Sequence, residues 1–218
     1  MKTDDALWNR ALTVIPSGTQ TFSKAPFQHV DGVAPKYLRS GKGSKVWDLD
    51  GNEYLDQILG LGPVVLGHSD PELADYLHKI MSEVGVCLSL PHEIEVHLAE
   101  KLISLIPSAE MVRFAKNGSD VTSGAVRAAR SFTGRSHIAC SGYHGWHDWF
   151  IGSTSRNSGV PEEVVSLTHT FKLNDVGSFQ KLIAPCTKEL AAIIIEPLGG
   201  QSVTTEFLLF LRDFCDEN

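Results

Sequence analysis

Clustered basic residues, paired cysteines and long apolar runs are what this sequence has little of. Its 19 Lys and Arg are outnumbered by 26 Asp and Glu, for a formal net charge of −7. The basic residues are scattered, so a nucleic-acid binder, whose affinity is built from clustered Lys and Arg, is not expected. The four cysteines, Cys87, Cys140, Cys186 and Cys215, stand far apart with no C-x-x-C spacing. That spacing points to neither a zinc ribbon nor a redox pair, and reduced, buried thiols are expected. No run approaches the ~20 apolar residues of a membrane span. The start, M-K-T-D-D-A-L-W, places two acids where a leader peptide is basic and apolar. The expectation is a soluble, cytoplasmic chain. It carries no internal repeat and no low-complexity tract.

What the chain does have is enough apolar material for a sizeable core: 42% of its 218 residues are hydrophobic. Residues 4–15 form a short amphipathic pattern stopped by Pro16, followed by a loop rich in turn formers. In S-K-V-W-D-L-D-G-N-E-Y-L-D, apolar positions flank Asp50-Gly51, a two-residue hairpin signal. From residue 70 onward helical and strand-like runs alternate. Helices are expected after Asp70-Pro71, over about Glu93 to Ile106, over 120–132 and over Asp175 to Ile183; strands are expected at 111–115, 137–140 and 190–195. That alternation predicts an α/β fold with a mostly parallel sheet and helices on both faces, preceded by a small helix and hairpin segment.

In such sheets ligands gather outside the carboxyl ends of the strands. Three segments occupy such places: Asn117 to Asp120, Gly142 to Asp148, and Glu196 to Gly200. In the first, a helix beginning directly after a strand offers unsatisfied N–H groups and the positive end of its dipole, and Gly118 lets an anion approach them. The same residues could equally be a plain N-cap made by Ser119 or Asp120, and the local pattern favours the cap. Neither the Walker spacing nor G-x-G-x-x-G is present. The second segment, C-S-G-Y-H-G-W-H-D-W-F, offers aromatic rings able to stack on a flat ligand, although Trp146 and Trp149 are expected in the core. His144 and His147 lack the carboxylates or cysteines that would complete a metal site, so no metal is expected. In the third, Glu196 ends an apolar strand, where a carboxylate is costly unless it is functional or paired with an arginine.

Taken together and in order, V-W-D-L-D-G-N-E-Y-L-D, L-G-P-V-V-L-G-H, V-R-F-A-K-N-G-S-D-V-T-S-G-A-V-R-A-A-R-S-F-T-G-R, G-Y-H-G-W-H-D-W and I-I-I-E-P resemble the class III aminotransferases of fold type I. Within that family they are most similar to the branch around glutamate-1-semialdehyde 2,1-aminomutase. The resemblance implies pyridoxal 5′-phosphate as cofactor, with Gly118 and Ser119 holding its phosphate and Asp120 supporting the turn. It also implies Tyr143 stacked on the pyridine ring with His144 beside it, and Glu196 facing the substrate side or engaging an arginine. It implies a homodimer with the site at the subunit boundary, a small-molecule amino donor and a keto or aldehyde acceptor. The family's cofactor-carrying lysine, and the acid opposite the ring nitrogen, fall beyond the F-C-D-E-N with which the sequence ends; none of its eleven lysines stands at that position. Residues 1–56 are therefore expected to be an N-terminal segment belonging to a small domain, and 57–218 the first half of the cofactor-binding large domain. Alone they are expected to be inactive and poorly soluble. Where the aminomutase carries an arginine after its first helix, this chain has T-Q-T-F-S-K, so Ser23 and Lys24 are the expected substrate-side residues. Lysine offers a point charge in place of a carboxylate-matching fork, which points to a different acceptor. An aminomutase, and a non-catalytic dimerisation or regulatory partner, are the alternatives.

Overall fold

The structure, a computed structural model, describes residues 3–30 and 32–218. Its chain contacts divide it into two compact units, Met1–Glu93 and Ile94–Asn218.

The first unit opens with helix α1 (Thr3–Val14), followed by single 3-10 turns at Pro16–Gly18, Phe22–Lys24 and Pro26–Gln28. Gly18, at φ +72°, lies under the Trp8 ring, where a Cβ would sit 2.6 Å from the ring carbon Cη2. Trp8 is thereby clamped beside Tyr37, ring centroids 6.4 Å apart. Strands β1 (Leu38–Lys42), β2 (Lys45–Asp48) and β3 (Glu53–Leu55) form an antiparallel sheet in that order. The expected hairpin is there, with Val46 opposite Tyr54. Asp48 holds its turn by accepting hydrogen bonds from Asn52 N and Nδ2, both at 2.8 Å, from Asp50 N at 3.0 Å and from Tyr54 Oη at 2.9 Å. The bonds from Asn52 lead in holding the Asp48 carboxyl below the usual carboxylate range. Helix α2 (Pro71–Glu83) starts where expected, with Asp70 accepting from Leu73 N at 2.9 Å.

The second unit holds α3 (Glu93–Leu105), α4 (Gly118–Thr133), β4 (His137–Ser141), α5 (Asp148–Ile151), α6 (Glu162–Val165), β5 (Thr168–Thr170), α7 (Val176–Ile183), β6 (Leu190–Ile195) and α8 (Thr205–Glu217). Strand order is β5-β4-β6, and both pairings are parallel. Because side chains alternate along a strand, β4 feeds two cores at once. Ile138 and Cys140 are fully buried against Val126 of α4 and against Trp149 and Phe150. Ala139 faces the other way, into Phe171, Phe179, Ile183, Phe207 and Leu211, which brings α7 and α8 onto that face. Helices thus cover both faces of a parallel sheet, as the alternating pattern predicts. Gly134, left-handed at φ +68°, ends α4 and turns the chain into β4.

The expected strand at 111–115 is a correction. Those residues pair with no strand among the described residues, and Met111 is 91% exposed. A strand is defined by a ladder partner for its N–H and C=O groups, and an apolar run cannot supply its own. Strands β1 and β5 were not foreseen: L-R-S-G-K and T-H-T carry no apolar alternation to reveal them. Among the described residues no helix is long and apolar enough to cross a membrane.

Candidate active site

The three segments singled out meet at one end of the parallel sheet, two of them after β4 and β6 and the third at the start of α4, which follows no strand among the described residues. Helix α4 begins with a reciprocal cap: Asn117 Oδ1 accepts from Asp120 N at 3.1 Å, and Asp120 Oδ2 accepts from Asn117 N at 3.2 Å. The cap is therefore Asn117, not Ser119 or Asp120, because only Asn117 has the extended backbone outside the first turn. This arrangement leaves the N–H groups of Gly118 and Ser119 without an acceptor among the described residues. Open space lies beside Gly118, where an added Cβ meets nothing within 4 Å. Ser119 is buried, and its Oγ accepts from Trp146 N at 3.2 Å, which leaves the hydroxyl hydrogen to donate.

The loop after β4 lies between that helix start and Glu196. Gly142 and Gly145, at φ +95° and +105°, let it turn sharply, and Gly145 packs so closely that a Cβ would stand 2.8 Å from Ser119 Cβ. The loop is bonded to α4 by Thr122 Oγ1, which donates to His144 O at 2.8 Å, and by the Ser123 hydroxyl against His147 Nδ1 at 2.8 Å. On its other side Tyr143 N donates to Glu196 Oε2 at 3.1 Å, while Glu196 N donates to Ser141 O at 3.0 Å. Glu196 thus finds its partner in a backbone amide, which answers the carboxylate's need without an arginine. Tyr143 is 66% exposed, with its ring edge to face with Phe150 at 5.7 Å.

His144 is buried, its Nε2 3.0 Å from Ser141 O and its ring packed on Trp149 and Phe150. Burial lowers its pKa, against smaller opposing contributions from Ser141 O and Glu196, so the ring is held neutral. Nε2 then carries the proton given to Ser141 O. Trp149 lies in the core as expected, but Trp146 does not: it is 69% exposed, because it precedes α5 and lies outside that helix's buried side.

Beside Glu196 an open cleft of about 470 Å³ is lined by Ser141, Gly142, Lys172, Asp175, Gly199 and Gln201, among others. Lys172 was missed from sequence; it follows β5, itself too short and polar to be read, and would otherwise have been found by the carboxyl-end rule. Ser23 and Lys24 belong to the first unit, on the exposed 3-10 turn Phe22–Lys24.

A profile of the class-III aminotransferases matches residues 28–218. The chain belongs to that family. It is 36% identical over 194 residues to a 3-aminobutyryl-CoA aminotransferase of Cloacimonas acidaminovorans, covering 89% of this chain and 46% of the relative. It is also 36% identical over 234 residues to a glutamate-1-semialdehyde 2,1-aminomutase of Chloroherpeton thalassium, covering 100% and 53%. Among solved structures it superposes on the PLP form of the FumI protein of Sphingopyxis sp. MTA144 with a TM-score of 0.88 and 29% identity, over 98% of this chain and 52% of that one. The chain spans about half the length of the curated relatives it matches. Class-III aminotransferases depend on pyridoxal phosphate, written PLP.

The residues present fit the phosphate end and one ring face of that cofactor. Two uncommitted helix N–H groups, a hydroxyl free to donate and an open Gly118 suit a phosphate, and an exposed tyrosine ring backed by Phe150 suits a flat heteroaromatic.

Proposed function

We propose that this chain is the first half of a PLP-dependent aminotransferase that passes an amino group from a small donor to a keto or aldehyde acceptor. Residues 1–56 form a segment of the small domain and 57–218 the first part of the cofactor-binding domain. The observation that carries this reading is the start of α4, where Asn117 and Asp120 take up the capping bonds and leave Gly118 and Ser119 for an anion.

In this reading Gly118 N–H, Ser119 N–H and the Ser119 hydroxyl hold the phosphate, and Asp120 acts by fixing the turn. Tyr143 lies against the pyridine face. His144, neutral and hydrogen-bonded to Ser141 O, holds the loop that carries Tyr143 and excludes water behind it. Glu196 fixes the same loop from the substrate side through Tyr143 N. PLP, when bound, supplies an electron sink for the carbon that bears the substrate's amine. Ser23 and Lys24 serve the acceptor. The lysine that carries the cofactor and the acid opposite its ring nitrogen lie outside residues 1–218. A cytoplasmic homodimer fits the four free thiols and the exposed Trp146.

The identity to the Chloroherpeton aminomutase over the whole chain supports a second reading, an aminomutase that moves the group within one molecule. Product analysis on the intact protein separates the two. A transaminase requires an acceptor and yields a second keto product, whereas a mutase converts one substrate into its isomer. If Ser119→Ala retains cofactor as well as wild type, the phosphate assignment is wrong.

A further inference from the structure

At the opposite end of β4 from the candidate site, roughly 13 Å along the strand, His137, His169 and Cys186 bring three soft donor atoms together. His137 Nδ1 and His169 Nε2 are 2.8 Å apart, Cys186 Sγ is 3.6 Å from the same Nε2, and all three atoms lie within 4.8 Å of one another. The two imidazoles lie edge to edge and nearly coplanar, centroids 5.1 Å apart and planes 11° from parallel, so the two nitrogens point at each other. We propose that His137, His169 and Cys186 form a binding site for a zinc-class divalent metal ion that ties the start of β4 to β5 and to the turn entering β6.

Small side-chain movements would bring the three donors onto one such ion. Zinc bonds of ~2.0–2.1 Å to nitrogen and ~2.3 Å to sulfur in a tetrahedron set donor atoms about 3.3–3.6 Å apart. The Cys186 Sγ to His169 Nε2 distance is already in that range; the nitrogen pair must open by about half an ångström with each ring turning in its plane toward the ion, and Cys186 Sγ, within 4.8 Å of His137 Nδ1, must close on the same point. Two imidazoles and a thiolate favour zinc or another late first-row ion over magnesium or calcium, which take oxygen. Three protein donors leave one position for water.

Glu189 supplies the orientation. Its Oε2 is 3.1 Å from His137 Nε2. A small turn of the exposed Glu189 side chain would let its carboxylate accept the His137 Nε2–H, leaving the Nδ1 lone pair facing inward, the carboxylate–histidine arrangement of metal sites. Before an ion binds, His169 Nε2–H donates to that lone pair. On binding, the His169 proton moves to its Nδ1 by way of water with no change of charge. The Cys186 thiol gives its proton to solvent as the sulfur–metal bond forms, so one proton leaves per ion. The setting also suits such a site: Cys186 is 8% exposed within the apolar cluster of Ala139, Phe171, Phe179 and Leu190, and the two half-buried histidines flank it.

The test is titration of the intact, metal-stripped protein with Co²⁺, a spectroscopic stand-in for Zn²⁺. The expected result is one ion per chain, a thiolate-to-cobalt charge-transfer band in the near ultraviolet, displacement by Zn²⁺, and a higher thermal midpoint with Zn²⁺. Cys186→Ser abolishes the band and the thermal shift. Glu189→Ala keeps the band but weakens binding by about 10- to 100-fold, as removing an outer partner does. Cys215→Ser changes neither. Absence of a thiolate band in folded wild-type protein, or its persistence in Cys186→Ser, overturns the proposal. Because wild type is measured directly, a variant that misfolds does not remove the test.

Discussion

Tyr143 and Glu196, more than fifty residues apart, are joined by a single hydrogen bond of 3.1 Å from a backbone amide to a carboxylate oxygen. That bond fixes a loop that also touches the start of α4, so it couples the end of β6 to the candidate phosphate cradle. Replacing Glu196 by Ala leaves the Tyr143 amide without its acceptor. The expected cost is about 1 kcal/mol, that of an ordinary hydrogen bond and below the range for buried bonds to charged groups, because Glu196 is half-buried and Tyr143 exposed. Glu196→Gln, which keeps an acceptor oxygen, costs less. Urea unfolding of the intact protein measures both, and equal losses for Ala and Gln would show that the bond is not what matters there.

Gly145 is the tightest point of the same loop. A methyl group at this position is opposed twice, by φ +105° and by Ser119 Cβ at 2.8 Å. Gly145→Ala is expected to cost about 1–3 kcal/mol and, by pushing Ser119 off its position, to loosen PLP. Dialysis followed by cofactor absorbance reads the second effect. A Gly145→Ala protein as stable and as fully loaded as wild type would falsify the account of this contact.

His144 predicts a pH dependence. Its pKa is lowered by burial against Trp149 and Phe150, with Glu196 and Ser141 O opposing, so the folded state binds a proton less readily than the unfolded chain. Stability is thus unaffected well above about pH 6.5, from roughly pH 7.5 upward, where His is neutral in both states. It falls as pH drops through about 6.5, because the unfolded state then takes up more protons. In His144→Gln the slope of unfolding free energy against pH between about 7 and 5 should shrink relative to wild type. An unchanged slope would mean that His144 titrates normally.

The fold was legible where local chemistry and tertiary need coincide. Asp70-Pro71, Asp50-Gly51 and the apolar run of β6 each specify an element without outside help. The candidate site was legible as places: Gly118 to Asp120, Tyr143 to His144 and Glu196 do converge on one end of the sheet. What failed were features set by neighbours remote in sequence. The run at 111–115 has strand composition but no ladder partner, and T-H-T becomes β5 only because β4 pairs with it. Trp146 and Trp149 differ by three residues and look equivalent, yet Trp149 lies on the buried side of α5 and Trp146 precedes that helix and is exposed. The cap at Asn117 was readable: Asn followed three residues later by Asp is the capping-box spacing.

Lys172 allows the division of labour between this chain and the rest of the protein to be tested. It lines the cleft beside Glu196, so of the eleven lysines it stands where a carbonyl compound in that cleft could meet an amine. Under the proposed function it is a charged wall residue, and the lysine that carries PLP lies outside residues 1–218. Residues 1–218 treated with PLP and then borohydride should therefore show no stoichiometric adduct at a single lysine, Lys172 included, and should transfer no amino group to a keto acid. In the intact protein the trapped lysine should map outside this stretch, while Lys172→Ala should raise KM for the acceptor and leave cofactor occupancy unchanged. A stoichiometric adduct at Lys172, accompanied by amino transfer from residues 1–218 alone, would sink the claim that the chemistry needs residues from elsewhere.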